Sequence, residues 1–181
     1  MTITPDDKDW TWVLERRCPE CGFDAATFDV AATGSALRAN AAEWRALLTD
    51  VNASDRTRDD RWSVLEYACH VRDASRIYLM RLDRMLTEDG PRYANWDQDE
   101  TAIADRYCEQ SPDQIADELA VAAEDLAIRF DAVRDDEWSR TGFRGDGAAF
   151  TIDSFARYFV HDPIHHVWDV TEVRVRNIEG S

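Results

Sequence analysis

The stretch from Ser154 to Val170, S-F-A-R-Y-F-V-H-D-P-I-H-H-V-W-D-V, is apolar on nearly every side of a helix and carries three of the chain's four histidines. Phe155, Phe159, Val160, Ile164 and Val167 cover much of its circumference, and Tyr158 and Trp168 extend the face that holds the histidines. Such a helix belongs in the middle of a domain, so its histidines face other helices rather than water. Each residue advances about 100° around a helix, so His161 and His165 point within about 40° of one another while His166 lies about 140° from His161. Two imidazoles one turn apart on one face can hold one metal ion. Two ligands rarely make a tight site, and the remaining histidine is His70.

A chain of 181 residues with 44% hydrophobic content fits one soluble domain with a sizeable core. Lys+Arg is 21 against Asp+Glu 37, a net charge of −16, which repels phosphate backbones and anionic lipid surfaces. Nucleic acid and membranes are therefore not expected as partners. No apolar run reaches the roughly 18 to 20 residues that cross a bilayer. Met1 to Pro5 opens onto acidic residues rather than a basic and then apolar leader. The expectation is a cytoplasmic protein, in which Cys18, Cys21, Cys69 and Cys108 stay thiols or bind metal.

Residues 1–32 lack helical periodicity and read as an arm with a C-x-x-C, anchored by Trp10 and Trp12, ahead of a bundle domain over residues 33–176. From Gly34 to Asp50, Leu37, Ala41, Trp44 and Leu48 recur at the steps of an amphipathic helix. Ser63 caps a second helix running to about Leu86, with Tyr67, His70, Val71, Ala74, Ile77, Tyr78, Leu82 and Met85 along one stripe. Gly90-Pro91 stops it, and the acidic, aromatic run from Tyr93 to Glu100 begins a long crossover with a short helix to Cys108. Ser111-Pro112 opens the third helix, marked by Ile115, Leu119, Ala122, Leu126 and Phe130. Gly145-Asp146-Gly147 suggests a small hairpin or ordered loop, after which Thr151 caps the fourth helix. The expected fold is all-α: an up-down four-helix bundle with a long crossover between helices two and three, an N-terminal arm, and a small hairpin or loop before helix four. Pro163 removes one backbone donor and predicts a kink between His161 and His165.

In a bundle, His70 in the middle of helix two can meet His161 and His165 in the middle of helix four. Three imidazoles with an open fourth position form the pattern of a catalytic zinc site. The segments W-S-V-L-E-Y-A-C-H, Trp62 to His70, and H-D-P-I-H-H, His161 to His166, resemble the motifs of the DinB-like, or YfiT-like, four-helix-bundle metalloenzymes. The resemblance covers roughly Gly34 to Val170. It implies a divalent metal, zinc or nickel, on His70, His161 and His165. His166 reads as a packing residue or a partner to a ligand, with an exchange of roles with His165 left open where Pro163 distorts the helix. The family includes enzymes that transfer low-molecular-weight thiols such as bacillithiol and mycothiol to electrophiles, and isomerases that use mycothiol. A thiol entering an open metal position becomes a nucleophilic thiolate at neutral pH. The expected function is thus a metal-dependent, thiol S-transferase-like enzyme of detoxification or stress, with a small-molecule thiol and an electrophile as its partners. The alternatives are a metal-dependent hydrolase and a non-catalytic, metal-stabilised binding or stress module. Exposed apolar remnants and the resemblance together suggest a homodimer.

Cys18-Pro-Glu-Cys21-Gly has the form of half a zinc knuckle. Without a second C-x-x-C it reads first as a structural turn, with a second metal site or redox use as the other readings. Glu66 and Asp73, one turn on either side of His70, are catalytic candidates able to bond a ring nitrogen or act as a base near the metal. Asp162, Asp97 and Glu100 are weaker candidates for the surroundings of the ligands. Tyr158, Trp168 and Trp96 are candidates for pocket walls, and Cys69 for the core.

Overall fold

The structure, a computed structural model, describes residues 9–58 and 60–179, with side chains as far as Glu172; the expectation for Met1 to Pro5 falls outside them. Four long helices carry the fold: α1 (Thr33–Leu48), α2 (Val64–Thr87), α4 (Pro112–Asp131) and α5 (Ile152–Glu179), with a short α3 (Gln98–Ala104) inside the crossover. Their starts follow local chemistry. The Ser63 hydroxyl accepts from the Glu66 N–H at 3.2 Å while the Glu66 carboxylate accepts from the Ser63 N–H at 2.8 Å. This reciprocal pair satisfies two amides that the first turn of α2 leaves free. Pro112 occupies the first turn of α4, where its missing N–H is not needed. Thr151 Oγ1 accepts from the Ser154 N–H at 3.1 Å at the head of α5.

The apolar stripes read from the sequence are buried. Trp44, Leu65, Ile115 and Leu119 pack together at one level of the bundle, and Leu82, Met85, Leu126, Phe130, Phe155 and Phe159 at another. Both α1 and α2 pack along α4, and α5 closes the opposite side against both. Consecutive helices α1 and α2 touch each other little, because the long connection from Thr49 to Ser63 lets them sit on opposite flanks of the other pair. Pro163 lies inside α5 without ending it, and buried Asn40 of α1 donates to the Pro163 carbonyl at 3.0 Å. Among the described residues no helix is long and apolar enough to cross a membrane.

The expected hairpin is present as β2 (Thr141–Arg144) and β3 (Ala149–Thr151), paired antiparallel. A strand not foreseen, β1 (Arg92–Tyr93), leaves the crossover and pairs parallel with β2. The small sheet is fastened to the end of α2. A Cβ at Gly142 would lie 2.7 Å from the Met85 side chain, so the close approach requires glycine. Arg140 donates from Nε to the Met85 carbonyl and from Nη2 to the Glu88 carbonyl, both at 2.7 Å, covering acceptors that the helix end leaves open.

Trp44 has no exposed surface and sits where α1, α2 and α4 converge. Replacing it with alanine is expected to lower the unfolding free energy by about 3–5 kcal/mol, measured by urea denaturation. A loss below about 1 kcal/mol would show that this seam is not part of the core.

Candidate metal centre

Helix α5 presents two interleaved pairs, each one turn apart: His161 with His165, and Asp162 with His166. The pairs face directions about 100° apart. The second pair meets α2. His70 Nε2 lies 3.3 Å from Asp162 Oδ2, the His70 and His166 rings meet edge-on at 4.9 Å, and His166 Nε2 lies 3.5 Å from Asp162 Oδ1. The first pair turns to the arm, where Cys18 Sγ is 3.7 Å from His165 Nδ1. Among the described residues the potential metal ligands therefore form two sets, His70–Asp162–His166 and Cys18–Cys21–His161–His165, each with its ligand atoms within 4.8 Å of one another. The trio expected from the sequence, His70 with His161 and His165, is divided between them. Helical periodicity gave the bearing of His161 relative to His165 but not which face of α5 looks at α2. Asp162 and His166 carry the same i, i+4 spacing as the histidine pair, one residue further on, and that spacing was the available signal.

The first set fits a divalent metal. His70 Nε2 and His166 Nε2 flank the Asp162 carboxylate, 3.3 Å from Oδ2 and 3.5 Å from Oδ1, and one ligand atom from each residue lies within 4.8 Å of the others. His166 Nδ1 lies 3.1 Å from Asp169 Oδ2, which holds an N–H there and leaves Nε2, beside Asp162, to face a metal. Asp169 is itself steadied by Arg61 Nη1 at 3.3 Å. The His70 ring is held by packing: it stacks on Trp96 at 5.2 Å with planes 8° apart and leans on Trp62 at 5.4 Å, while its Nδ1 is buried without a hydrogen-bond partner. Two imidazoles and one carboxylate leave coordination positions open, as catalytic sites require.

Charge separates the two faces of α5. Burial by itself would lower the pKa of His166, but the charge of Asp162 and hydrogen bonds to Asp162 and Asp169 raise it to about 10. Burial opposes ionisation of Asp162 too, yet His166 and His70 hold its carboxyl well below the usual range. The centre thus favours positive charge between carboxylates, which a metal cation supplies. On the other face, burial and then the neighbouring His165 lower the pKa of His161 to about 4, and burial lowers that of His165. Those imidazoles stay neutral donors.

The His70–Asp162–His166 set borders a cavity of about 470 Å³, and His161 and His165 border the same space beside Trp10. Trp10 of the arm, Trp96 of the crossover, Tyr78 and Tyr158 form its walls, Arg81 and Arg144 add positive charge, and Asp97 and Asp99 stand at the α3 side. Of the three aromatic candidates for pocket walls, Tyr158 and Trp96 line the cavity. Trp168 instead packs on the His165 ring at 5.6 Å, and Glu100 lies off the cavity.

Glu66 and Asp73 do not line it either. Glu66 is committed to the start of α2 and to Arg56, whose Nε donates to it at 2.8 Å. Asp73 receives Arg72 Nε at 2.9 Å, Arg72 Nη2 at 2.8 Å and the Tyr107 hydroxyl at 2.6 Å. On a helix, one turn from His70 is near it along the axis, but the bonding partners of these carboxylates lie elsewhere. Cys69 is fully buried, as expected of a core residue.

Burial opposes the charge on Asp73, but Arg72 and Tyr107 overcome it and lower its pKa from 3.8. A depressed folded-state pKa stabilises the fold fully above the unfolded value, and that contribution fades as pH falls from about 4 downward. Asp73→Asn is therefore expected to cost about 2 kcal/mol near neutral pH, to flatten the loss of stability below pH 4, and to leave metal content unchanged. Loss of metal in this variant, measured by elemental analysis, would return Asp73 to the site.

Comparison with known proteins agrees with this architecture. The chain matches the DinB superfamily over residues 36–170. It is similar in structure to YfiT from Bacillus subtilis, with a TM-score of 0.75 and 18% identity, covering 81% of this chain and 86% of YfiT. No curated protein matches it in sequence. The family match takes in α2 and α4, most of α1 and of α5, and both motifs that carry the histidines, and the chain belongs to the DinB superfamily.

Proposed function

We propose that this chain is a divalent-metal-dependent enzyme that holds zinc or nickel on His70, Asp162 and His166 and works on a small molecule in the adjoining cavity. The observation that carries this reading is a three-donor set, short of a full coordination sphere, on the wall of a cavity of about 470 Å³. A metal there would lower the pKa of a bound water or thiol and supply a nucleophile at neutral pH. The protein's own groups do the rest. Asp169 keeps the His166 proton on Nδ1 and so keeps Nε2 a donor. Trp10 and Trp96 screen the site from water, and Arg81 offers charge for an anionic group of the substrate, Arg144 being paired with Asp146 at 2.8 Å.

The nucleophile proposed is a low-molecular-weight thiol. Its S–H proton is released, and its sulfur forms a bond to an electrophilic carbon, which either expels a leaving group or passes its electrons into a conjugated acceptor. The support is the family resemblance together with the cavity beside the three-donor set. A second reading, with water as the nucleophile, is favoured by the similarity to YfiT, whose structure is described as that of "a probable metal-dependent hydrolase with an unusual four-helix bundle topology".

The test is turnover of a panel of electrophiles and esters by protein reloaded with zinc or nickel, with and without added thiol. Thiol-dependent turnover is expected, falling about 100-fold or more in Asp162→Ala and His166→Ala and about 10- to 100-fold in Asp169→Ala. Turnover that needs no thiol and falls in the same variants would favour the hydrolase. Absence of turnover in both arms would defeat the enzyme reading.

A further inference from the structure

We propose that Cys18, Cys21, His161 and His165 form a second site, closed and four-coordinate, whose zinc ion fastens the N-terminal arm to α5. The arm is already folded for this. The Gly22 N–H bonds to the Cys18 carbonyl at 3.1 Å, the Cys18 N–H to the Phe23 carbonyl at 2.8 Å, and Arg17 Nε to the Gly22 carbonyl at 2.9 Å. Gly22 has φ +77°, a conformation that favours glycine, and the tight turn it closes brings both sulfurs toward one point. In the sequence this run lacked a second C-x-x-C; here the missing half is the H-x-x-x-H of α5.

Zinc bound about 2.3 Å from sulfur and about 2.0–2.1 Å from nitrogen sets tetrahedral ligand edges near 3.3–3.8 Å. Cys18 Sγ and His165 Nδ1 are 3.7 Å apart, and all four ligand atoms lie within 4.8 Å of one another. His161 is only 3% exposed, and its Nε2 is buried with no hydrogen-bond partner. That arrangement costs free energy unless something binds there. His165 faces the sulfurs with Nδ1 while its Nε2 lies 3.4 Å from Glu20 and 3.8 Å from Asp169, the carboxylate partners that orient zinc-bound imidazoles. Two thiolates and two imidazoles select zinc over harder cations, and four protein donors leave no position for substrate. The role is structural, unlike that of the three-donor centre on the neighbouring face. Redox use fits less well, because it leaves unexplained the two imidazoles of His161 and His165 gathered at the same point.

The site has a consequence for the cavity. Trp10 packs on the rings of His161 at 5.6 Å and His165 at 5.0 Å, and the same Trp10 borders the cavity. Holding the arm therefore holds one wall of the substrate space.

The experiment uses the full chain, purified without chelators, with metal content and spectra as readouts rather than activity. Wild-type protein is expected to carry two metal equivalents, Cys18→Ser/Cys21→Ser one, and His70→Ala/His166→Ala one. Reconstituted with Co(II), the His70→Ala/His166→Ala protein should show a thiolate-to-cobalt charge-transfer band and the strong d–d bands of a tetrahedral site. Cys69→Ser/Cys108→Ser should keep both features. If the paired cysteine variant does not fold, the cobalt spectrum of the His70→Ala/His166→Ala protein still decides. Absence of the thiolate band there, its loss in Cys69→Ser/Cys108→Ser, or a Cys18–Cys21 disulfide found by mass spectrometry would each overturn the proposal.

Discussion

Adjacent residues on a helix face directions about 100° apart, and on α5 this offset divides the molecule's histidine chemistry in two. His161 and His165 look toward the arm, and Asp162 and His166 look toward α2. His161 and His165 are buried and Asp162 and His166 half-buried beside the cavity, and each face has its own partners. The partners come from opposite ends of the sequence distance: His70 from the adjacent helix of the bundle, and Cys18 and Cys21 from a segment about 140 residues upstream. Asp169, one turn beyond, lies beside both His165 and His166 and links the two sets.

The two faces have opposite electrostatics, which suits two different tasks. Between Asp162 and Asp169 a positive charge is stabilised, so that face attracts a cation and can leave it partly exposed to a cavity. Against the arm the imidazoles are kept neutral by burial, ready to donate without a proton to displace. One helix can thus carry an open centre for chemistry and a closed one for architecture, provided that the arm and α2 stay on their respective sides. The bundle secures this geometry through Asn40, which bonds to the Pro163 carbonyl between the two sets, and through aromatic packing of Trp96 on His70 and Trp10 on His165.

Much of this was legible in the sequence, for local reasons. Ser63 with Glu66, Pro112 after Ser111, and Thr151 with Ser154 are helix starts whose chemistry is contained within four residues. Leu37, Trp44, Leu119 and Leu126 declare their burial by spacing alone. What was not legible depends on how elements meet. Spacing gives bearings within α5 but not the rotation of α5 against α2, so spacing alone groups His161 and His165 with His70, whereas Asp162 and His166 lie against it. The pairing of β1 with β2 joins segments about 50 residues apart through only two residues, too short a run to declare itself. Glu66 and Asp73 are near His70 along the chain, but their hydrogen bonds go to Ser63, Arg56, Arg72 and Tyr107, and no local spacing reveals Arg56 or Tyr107 as partners.

The division of the ligands can be seen directly by anomalous X-ray diffraction at the zinc edge, on crystals of protein saturated with zinc. Two separate peaks are expected, one among His70, Asp162 and His166 and the other among Cys18, Cys21, His161 and His165. A single peak shared by His70, His161 and His165 would contradict the division and restore the trio that the sequence alone suggests.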